Sequence, residues 1–202
     1  MSETMSATTP ASQLEQNILT RTATVSVVGL GYVGLPLLRA FFKAGFPVLG
    51  YDVDQEKIDR LNKGESYLKH LGADFAMEMS KSDKFRVTTD AQKLADADVI
   101  ILCVPTPLGE HGEPDMSYIT RSTEMVAKVL RKGQLITLES TTYPGTTRGD
   151  CIPILAKTRA RRSRAPRSLH ADHPKTRRRC RRSQWQARND ALRRGDCRSR
   201  SG

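Results

Sequence analysis

The stretch Val25-Ser26-Val27-Val28-Gly29-Leu30-Gly31-Tyr32-Val33-Gly34 decides the fold of this 202-residue chain. A short strand of buried type runs straight into G-x-G-x-x-G, the pattern of a strand turning into a helix around a nucleotide pyrophosphate. Gly29 allows the tight turn, Gly31 lets the backbone approach the phosphates, and Gly34 lets the helix pack close to the strand. The exposed N–H groups and positive dipole end of that helix then hold the anion.

Glycine-rich turns are common, so the flanks carry the weight. Leu35 to Ala44 reads as an amphipathic helix, with Pro36 in its first turn and Gly45 at its end. A second apolar strand, Pro47 to Tyr51, ends in Asp52, 23 residues after Gly29. A carboxylate at that distance accepts hydrogen bonds from the adenosine ribose hydroxyls and repels the extra 2′-phosphate of NADP, so NAD is the expected cofactor. The plainer alternative makes Asp52 a strand-end turn residue.

From Thr24 to about Ala156 strand and helix patterns alternate, which predicts a doubly wound, Rossmann-like α/β parallel sheet. The strands are read at Thr24–Val28, Pro47–Tyr51, Phe85–Thr88, Val99–Val104 and Gln134–Leu138. The helices are read at Val33–Ala44, Gln55–Asn62, within Tyr67–Ser80, Ser117–Arg131 and Thr146–Ala156. Ligands of such sheets bind beyond the carboxyl ends of the strands. Those ends are Gly29–Gly34, Asp52, Pro105–Pro107 and Glu139–Thr142. The last two segments also read as turn and capping chemistry, which Ser, Thr, Pro and Gly supply routinely.

The formal net charge of +11 points toward nucleic acid until it is divided along the chain. Residues 157–202 carry 17 Lys and Arg against 3 acidic residues, and the first 156 carry 16 against 19. The basicity belongs to the tail, and the first part has the balance of an ordinary soluble enzyme domain. No apolar run approaches the roughly 18–20 residues that span a bilayer. Residues 1–22 are Ser/Thr-rich without the apolar core of a signal peptide and are expected to form a disordered leader. Cys103, Cys151, Cys180 and Cys197 lack C-x-x-C spacing, so neither a metal site nor a disulfide framework is indicated, and a reducing cytoplasmic setting is the default.

Together these residues closely resemble the nucleotide-sugar 6-dehydrogenases, the UDP-glucose/GDP-mannose dehydrogenase family. The matching segments are Val28 to Pro36, Gly50 to Asp54, Ala97 to Pro107, Asp115 to Tyr118 and Glu139 to Thr147. The last, with Ser-Thr-Thr-Tyr-Pro-Gly-Thr, is most similar to the branch acting on UDP-N-acetylhexosamines. The resemblance covers about residues 24–156, which is the family's N-terminal NAD-binding domain. It implies that the backbone at Tyr32 and Val33 holds the pyrophosphate and that Asp52 holds the ribose. It also implies cofactor contacts at Lys57, Thr106 and Thr141, the last nearest the nicotinamide. On spacing alone, Lys57 is equally a solvated helix charge.

Family members oxidise a sugar C6 alcohol to a carboxylate in two hydride transfers. The resemblance implies a cysteine nucleophile in a G-F-G-G-x-C-x-P-K-like segment, a glutamate in an S/N-P-E segment, a lysine and an Asn/Asp pair. None of these motifs occurs in this sequence, and no catalytic residue is assigned. Cys103 falls in a buried strand, where a thiol is usually a small hydrophobe. Cys151 has no histidine near it in sequence. Cys180 stands among Arg178, Arg179, Arg181 and Arg182, which favour thiolate but surround no substrate site. The central dimerisation domain and the UDP-binding domain of the family are absent too, so a UDP-sugar substrate is expected only for an intact enzyme.

Residues 157–202 contain no Ile, Val, Phe, Tyr or Met. They are expected to be a disordered basic tail, because they cannot bury enough surface to offset chain entropy. Of the 17 basic residues there, 15 are Arg, against 7 of 16 earlier. That composition also fits an out-of-frame reading of a GC-rich gene. Read one nucleotide later, the degenerate codons of Asp172 to Cys180 permit Thr-Ile-Pro-Lys-Leu-Val-Gly-Gly-Val, similar to a family segment. The expected reading is a truncated, inactive dehydrogenase fragment: leader 1–22, NAD-binding domain 23–156, tail 157–202. Two alternatives stand beside it. One is an NAD-binding protein whose Arg clusters bind nucleic acid non-specifically. The other is a small oxidoreductase with its own catalytic centre among Thr141, Thr142 and Tyr143, none of which has an evident partner base.

Overall fold

Apolar runs bounded by turn residues become strands here almost where they begin and end. A computed structural model describes residues 9–68, 74–109 and 114–160. It contains β1 (Val25–Val28), β2 (Val48–Tyr51), β3 (Phe85–Thr88), β4 (Val99–Leu102) and β5 (Leu135–Leu138). All neighbouring pairs are parallel, and the order across the sheet is β3-β2-β1-β4-β5. The chain therefore winds outward from β1 in one direction, then returns to the other side of β1 at β4. That reversal opens a crevice at the carboxyl ends of β1 and β4, the place where such sheets take their ligands.

The helices are α1 (Pro10–Leu19), α2 (Gly34–Lys43), α3 (Gln55–Asn62), α4 (Asp74–Ser80), α5 (Ser117–Val129) and α6 (Ile152–Ala160). A 3₁₀ turn spans Ala91–Asp96, and a π-helical turn at Thr147–Cys151 leads into α6. On one face of the sheet, Val25, Val27, Val48, Val99 and Ile101 pack with Leu35 and Leu38 of α2, Ile58 and Leu61 of α3, and Met79 of α4. On the other, Val28, Leu49, Ile100, Leu102 and Ile136 pack with Val126 and Val129 of α5 and Leu155 of α6. Each buried aliphatic side chain contributes about 1.5–3 kcal/mol, and burial on both faces explains why β4 is a continuous Val-Ile-Ile-Leu run.

The sequence expectations for the fold hold, with two corrections at the ends. The leader is not wholly unstructured, since Pro10–Leu19 is helical. Thr9 caps it by accepting the Ser12 amide, Pro10 opens it, and Leu14 packs against the first core. The boundary placed at residue 156 falls inside α6, which continues to Ala160. The rest of the tail, with Cys180, Cys197 and the arginine clusters, lies outside the described residues.

Candidate cofactor site

The glycine turn sits at the crevice and is held there by sterics. Gly29 has φ +93°, and a Cβ on it would lie 2.4 Å from the Cys103 carbonyl oxygen, just beyond β4. A Cβ on Gly34 would come within 1.8 Å of the Gly29 carbonyl oxygen, so α2 can start this close to β1 only with glycine there. Gly31 differs: nothing lies within 4 Å of the position a Cβ would take. The space beside Gly31 is thus open to a ligand, which is the cradle that a pyrophosphate needs. Val33, the N-cap of α2, makes no side-chain cap bond, and Tyr32 and Val33 are both exposed at this helix start. The positive end of α2 therefore faces that opening.

Asp52 follows β2 directly and is buried although charged. Its Oδ2 accepts the Leu30 amide at 2.8 Å, and its Oδ1 accepts the Asp54 amide at 3.0 Å. Lys57 Nζ reaches the two carboxylate oxygens at 3.3 and 3.4 Å. A carboxylate has about four acceptor positions; the two amides take one on each oxygen, and the two longer Lys57 contacts occupy the sites that a ligand hydroxyl would share or take over. Lys57 is thus not merely a solvated charge. It projects from the first turn of α3 onto Asp52, because Asp54 caps that helix by accepting the Glu56 amide.

The loops after β4 and β5 meet through one side chain. Ser140 Oγ donates to the Val104 carbonyl at 2.8 Å and accepts the Val104 amide at 3.1 Å, while the Glu139 amide donates to the Leu102 carbonyl at 2.9 Å. Thr106, half-buried, and Thr141, exposed, extend from these tied ends along the same sheet edge as the glycine turn. Asp115 accepts the Ser117 amide at the start of α5, and that bond holds its carboxyl below the usual carboxylate range. The sequence placed Ser140 in a ligand-edge segment that also read as turn chemistry, and the structure makes it the clasp between two loops.

The described thiols are poor nucleophiles. Cys103 lies one residue beyond β4 and is buried, and burial, with a smaller push from Glu139, raises its pKa to about 11. Cys151 is buried against the Thr123 hydroxyl, and burial likewise raises it. Tyr143 does have a partner, donating its hydroxyl to Asp150 on the π-helical turn. That bond raises the phenol's pKa, which makes Tyr143 a donor and a loop tether rather than a base. No group of three or more His, Cys, Asp or Glu among the described residues could hold a metal ion. No helix among them is long and apolar enough to cross a membrane.

A sequence model of the NAD binding domain of the UDP-glucose/GDP-mannose dehydrogenase family matches residues 23–170. The chain belongs to that family. The match continues 14 residues beyond the boundary expected at residue 156. The chain is similar to the UDP-N-acetyl-D-glucosamine 6-dehydrogenase of Pseudomonas aeruginosa, at 41% identity over 133 residues, 66% of this chain and 31% of that protein. It is 40% identical over 124 residues to the UDP-N-acetyl-D-mannosamine dehydrogenase of Campylobacter jejuni, covering 61% of this chain and 30% of that one. Among solved structures it resembles a ternary complex of GDP-mannose dehydrogenase from Pseudomonas aeruginosa, with TM-score 0.63 and 30% identity over 66% of this chain and 32% of that chain. This UDP-glucose/GDP-mannose dehydrogenase family member thus spans about three-tenths of the length of the curated relatives it matches. That portion is the NAD-binding domain, with NAD as its cofactor.

Proposed function

We propose that this chain supplies the NAD-binding part of an oxidation of a UDP-sugar C6 alcohol to a uronate, with UDP-N-acetylhexosamine favoured over UDP-glucose. The observation that carries the reading is the buried Asp52 carboxylate bonded to the Leu30 amide, beside an open Gly31 and the start of α2. The substrate preference rests on the UDP-N-acetylhexosamine dehydrogenases that the chain resembles at about 40% identity. Bound NAD would supply a hydride acceptor. In this reading Gly29, Gly31 and Gly34 shape the turn, and backbone amides at Tyr32 and Val33 take the pyrophosphate. Asp52 takes the ribose with Lys57 steadying it, and Thr106 and Thr141 line the nicotinamide end.

With Cys103 and Cys151 buried and proton-bound, the chain by itself binds NAD without oxidising the sugar, in the cytoplasm. The Arg-rich residues past the family match, which ends at residue 170, are an out-of-frame continuation. The nucleic-acid reading depends on that tail and draws no support from the residues described.

Titration calorimetry of the 202-residue chain tests the first part. NAD should bind, NADP should bind at least about tenfold more weakly, and Asp52→Asn should narrow that gap, because the carboxylate's repulsion is gone. Equal affinity for the two cofactors in the unaltered chain would reject the assignment of Asp52. Steady NADH formation with UDP-N-acetylglucosamine would reject the claim of inactivity, and an unbroken reading frame in the source DNA would reject the frame proposal.

A further inference from the structure

Leu30, the first x of the glycine motif, is gripped from three sides. Its side chain is fully buried and lies beneath β2, where Gly50 leaves room for it: a Cβ on Gly50 would meet the Leu30 Cδ1 at 3.0 Å. Its amide donates to Asp52. Its carbonyl accepts the hydroxyl of Tyr67, a residue 37 positions away on the strap that follows α3. Nothing in the glycine motif or in the family segments quoted above singles out Tyr67.

We propose that Tyr67 is a positioning residue for the dinucleotide, fixing the Leu30–Gly31 peptide so that the turn's amides stay directed at the pyrophosphate. The proposal rests on the NAD reading above and extends it to a residue that need not touch the cofactor. The physical step is the planarity of a trans peptide, in which the carbonyl and the following N–H point in opposite directions; no peptide in the described chain is cis. Holding the Leu30 carbonyl toward the Tyr67 ring therefore turns the Gly31 amide to the opposite side. The peptide preceding Leu30 is fixed independently through Asp52. Both planes that set the turn are thus oriented before any ligand arrives.

One helix supports both grips. Lys57 and Arg60 lie three residues apart on α3 and so share a face. Lys57 reaches Asp52, while Arg60 donates to the Ser66 carbonyl at 3.2 Å and sits over the Tyr67 ring at 6.0 Å from its centre. Ser66 Oγ in turn donates to the Leu68 carbonyl at 3.1 Å, which fixes the strap on either side of Tyr67. Burial, followed by the charges of Asp52 and Asp54, pushes the Tyr67 hydroxyl above the usual phenol range, with Arg60 opposing. The hydroxyl accordingly remains a donor at every pH at which the protein is handled.

The test is Tyr67→Phe in the full chain, which keeps the ring over which Arg60 lies and removes only the donor. Affinities for NAD, ADP and adenosine are measured by calorimetry and ligand-observed NMR, alongside thermal melting. Loss of one hydrogen bond to the turn predicts about three- to tenfold weaker binding of NAD and ADP. Adenosine affinity should be unchanged and the melting temperature should move by only a few degrees. Equal weakening of adenosine and ADP, or no weakening of either, overturns the proposal. If Tyr67→Phe does not fold, Arg60→Met replaces it, with the same phosphate-selective pattern expected and the same outcomes overturning it. Failure of the unaltered chain to bind NAD overturns the underlying NAD reading and this inference together. Normal NAD binding by Tyr67→Phe removes only the inference.

Discussion

Ser140 and Val104 exchange hydrogen bonds in both directions, the serine hydroxyl accepting from the valine amide and donating to the valine carbonyl. The two bonds join the ends of β4 and β5 at the edge of the sheet that carries the glycine turn. They tie together the loops that carry Thr106 and Thr141. Ser140→Ala should lower stability by about 1–3 kcal/mol, since two partly buried backbone groups lose a partner. NAD affinity should fall with it. Urea unfolding and NAD titration of the variant check the pair, and an unchanged affinity would show that the loops do not depend on the clasp.

The three glycines of the motif should fail in different ways. Gly34→Ala drives a methyl into the Gly29 carbonyl, and Gly29→Ala drives one into the Cys103 carbonyl at a positive φ. Each should destabilise the fold by more than about 2 kcal/mol, because backbone rather than a flexible side chain must move. Gly31→Ala meets nothing in the protein. It should melt within a few degrees of the parent yet lose most NAD affinity, as the methyl fills the space the phosphates approach. A Gly31→Ala variant with parental NAD affinity would place the pyrophosphate elsewhere.

Thiol titration sets a pH limit. The Cys103 pKa is raised to about 11 in the folded chain by burial, with Glu139 second, against about 8.5 in an unfolded one. A folded pKa above the unfolded value means the native state holds the proton more tightly. The resulting stability is fully present below about pH 8.5 and is lost as pH rises toward 11. Denaturant midpoints measured from pH 7.5 to 10.5 should therefore fall, and fall less in Cys103→Ala. The same burial predicts slow reaction with a disulfide reagent at pH 8 until the protein unfolds.

One core position carries a hydroxyl that packing alone would fill with carbon. Ser26 lies in the centre of β1, fully buried, and its Oγ has no hydrogen-bond partner. Ser26→Ala removes a desolvated polar atom and little volume. It should leave stability unchanged or raise it by up to about 1 kcal/mol. A loss exceeding about 1 kcal/mol, read by urea unfolding, would mean that the hydroxyl is satisfied in solution.

Periodicity made the sheet legible, because strands covered on both faces leave long apolar runs and the connecting turns contain Gly, Asp and Pro. β3 and α3 have the bounds read from sequence, and the other strands differ by one or two residues. Asp52 and Lys57 were legible from spacing and family likeness, and the structure adds that they bond to each other. The helix α1 was missed although Thr9 and Pro10 form a cap-and-start pair and Leu14 and Ile18 lie one turn apart. Its polar composition masked that signal. Ser140 and Tyr67 could not be read in the same way. Each acts by reaching a backbone group 36 or 37 residues away, and no local pattern encodes a contact of that kind.

The switch between β1 and β4 also governs when the site comes into being. Val28 of β1 pairs with Leu102 of β4, 74 positions further along the chain. The glycine motif, Asp52, Lys57 and Tyr67 all precede β3 and would leave a ribosome together. The wall against which Gly29 turns, the carbonyl of Cys103, arrives only with β4. A nascent chain carrying the complete fingerprint thus still lacks one side of its crevice. Closing that long loop makes a non-local contact of the kind that forms slowly, and the crevice is complete only after it.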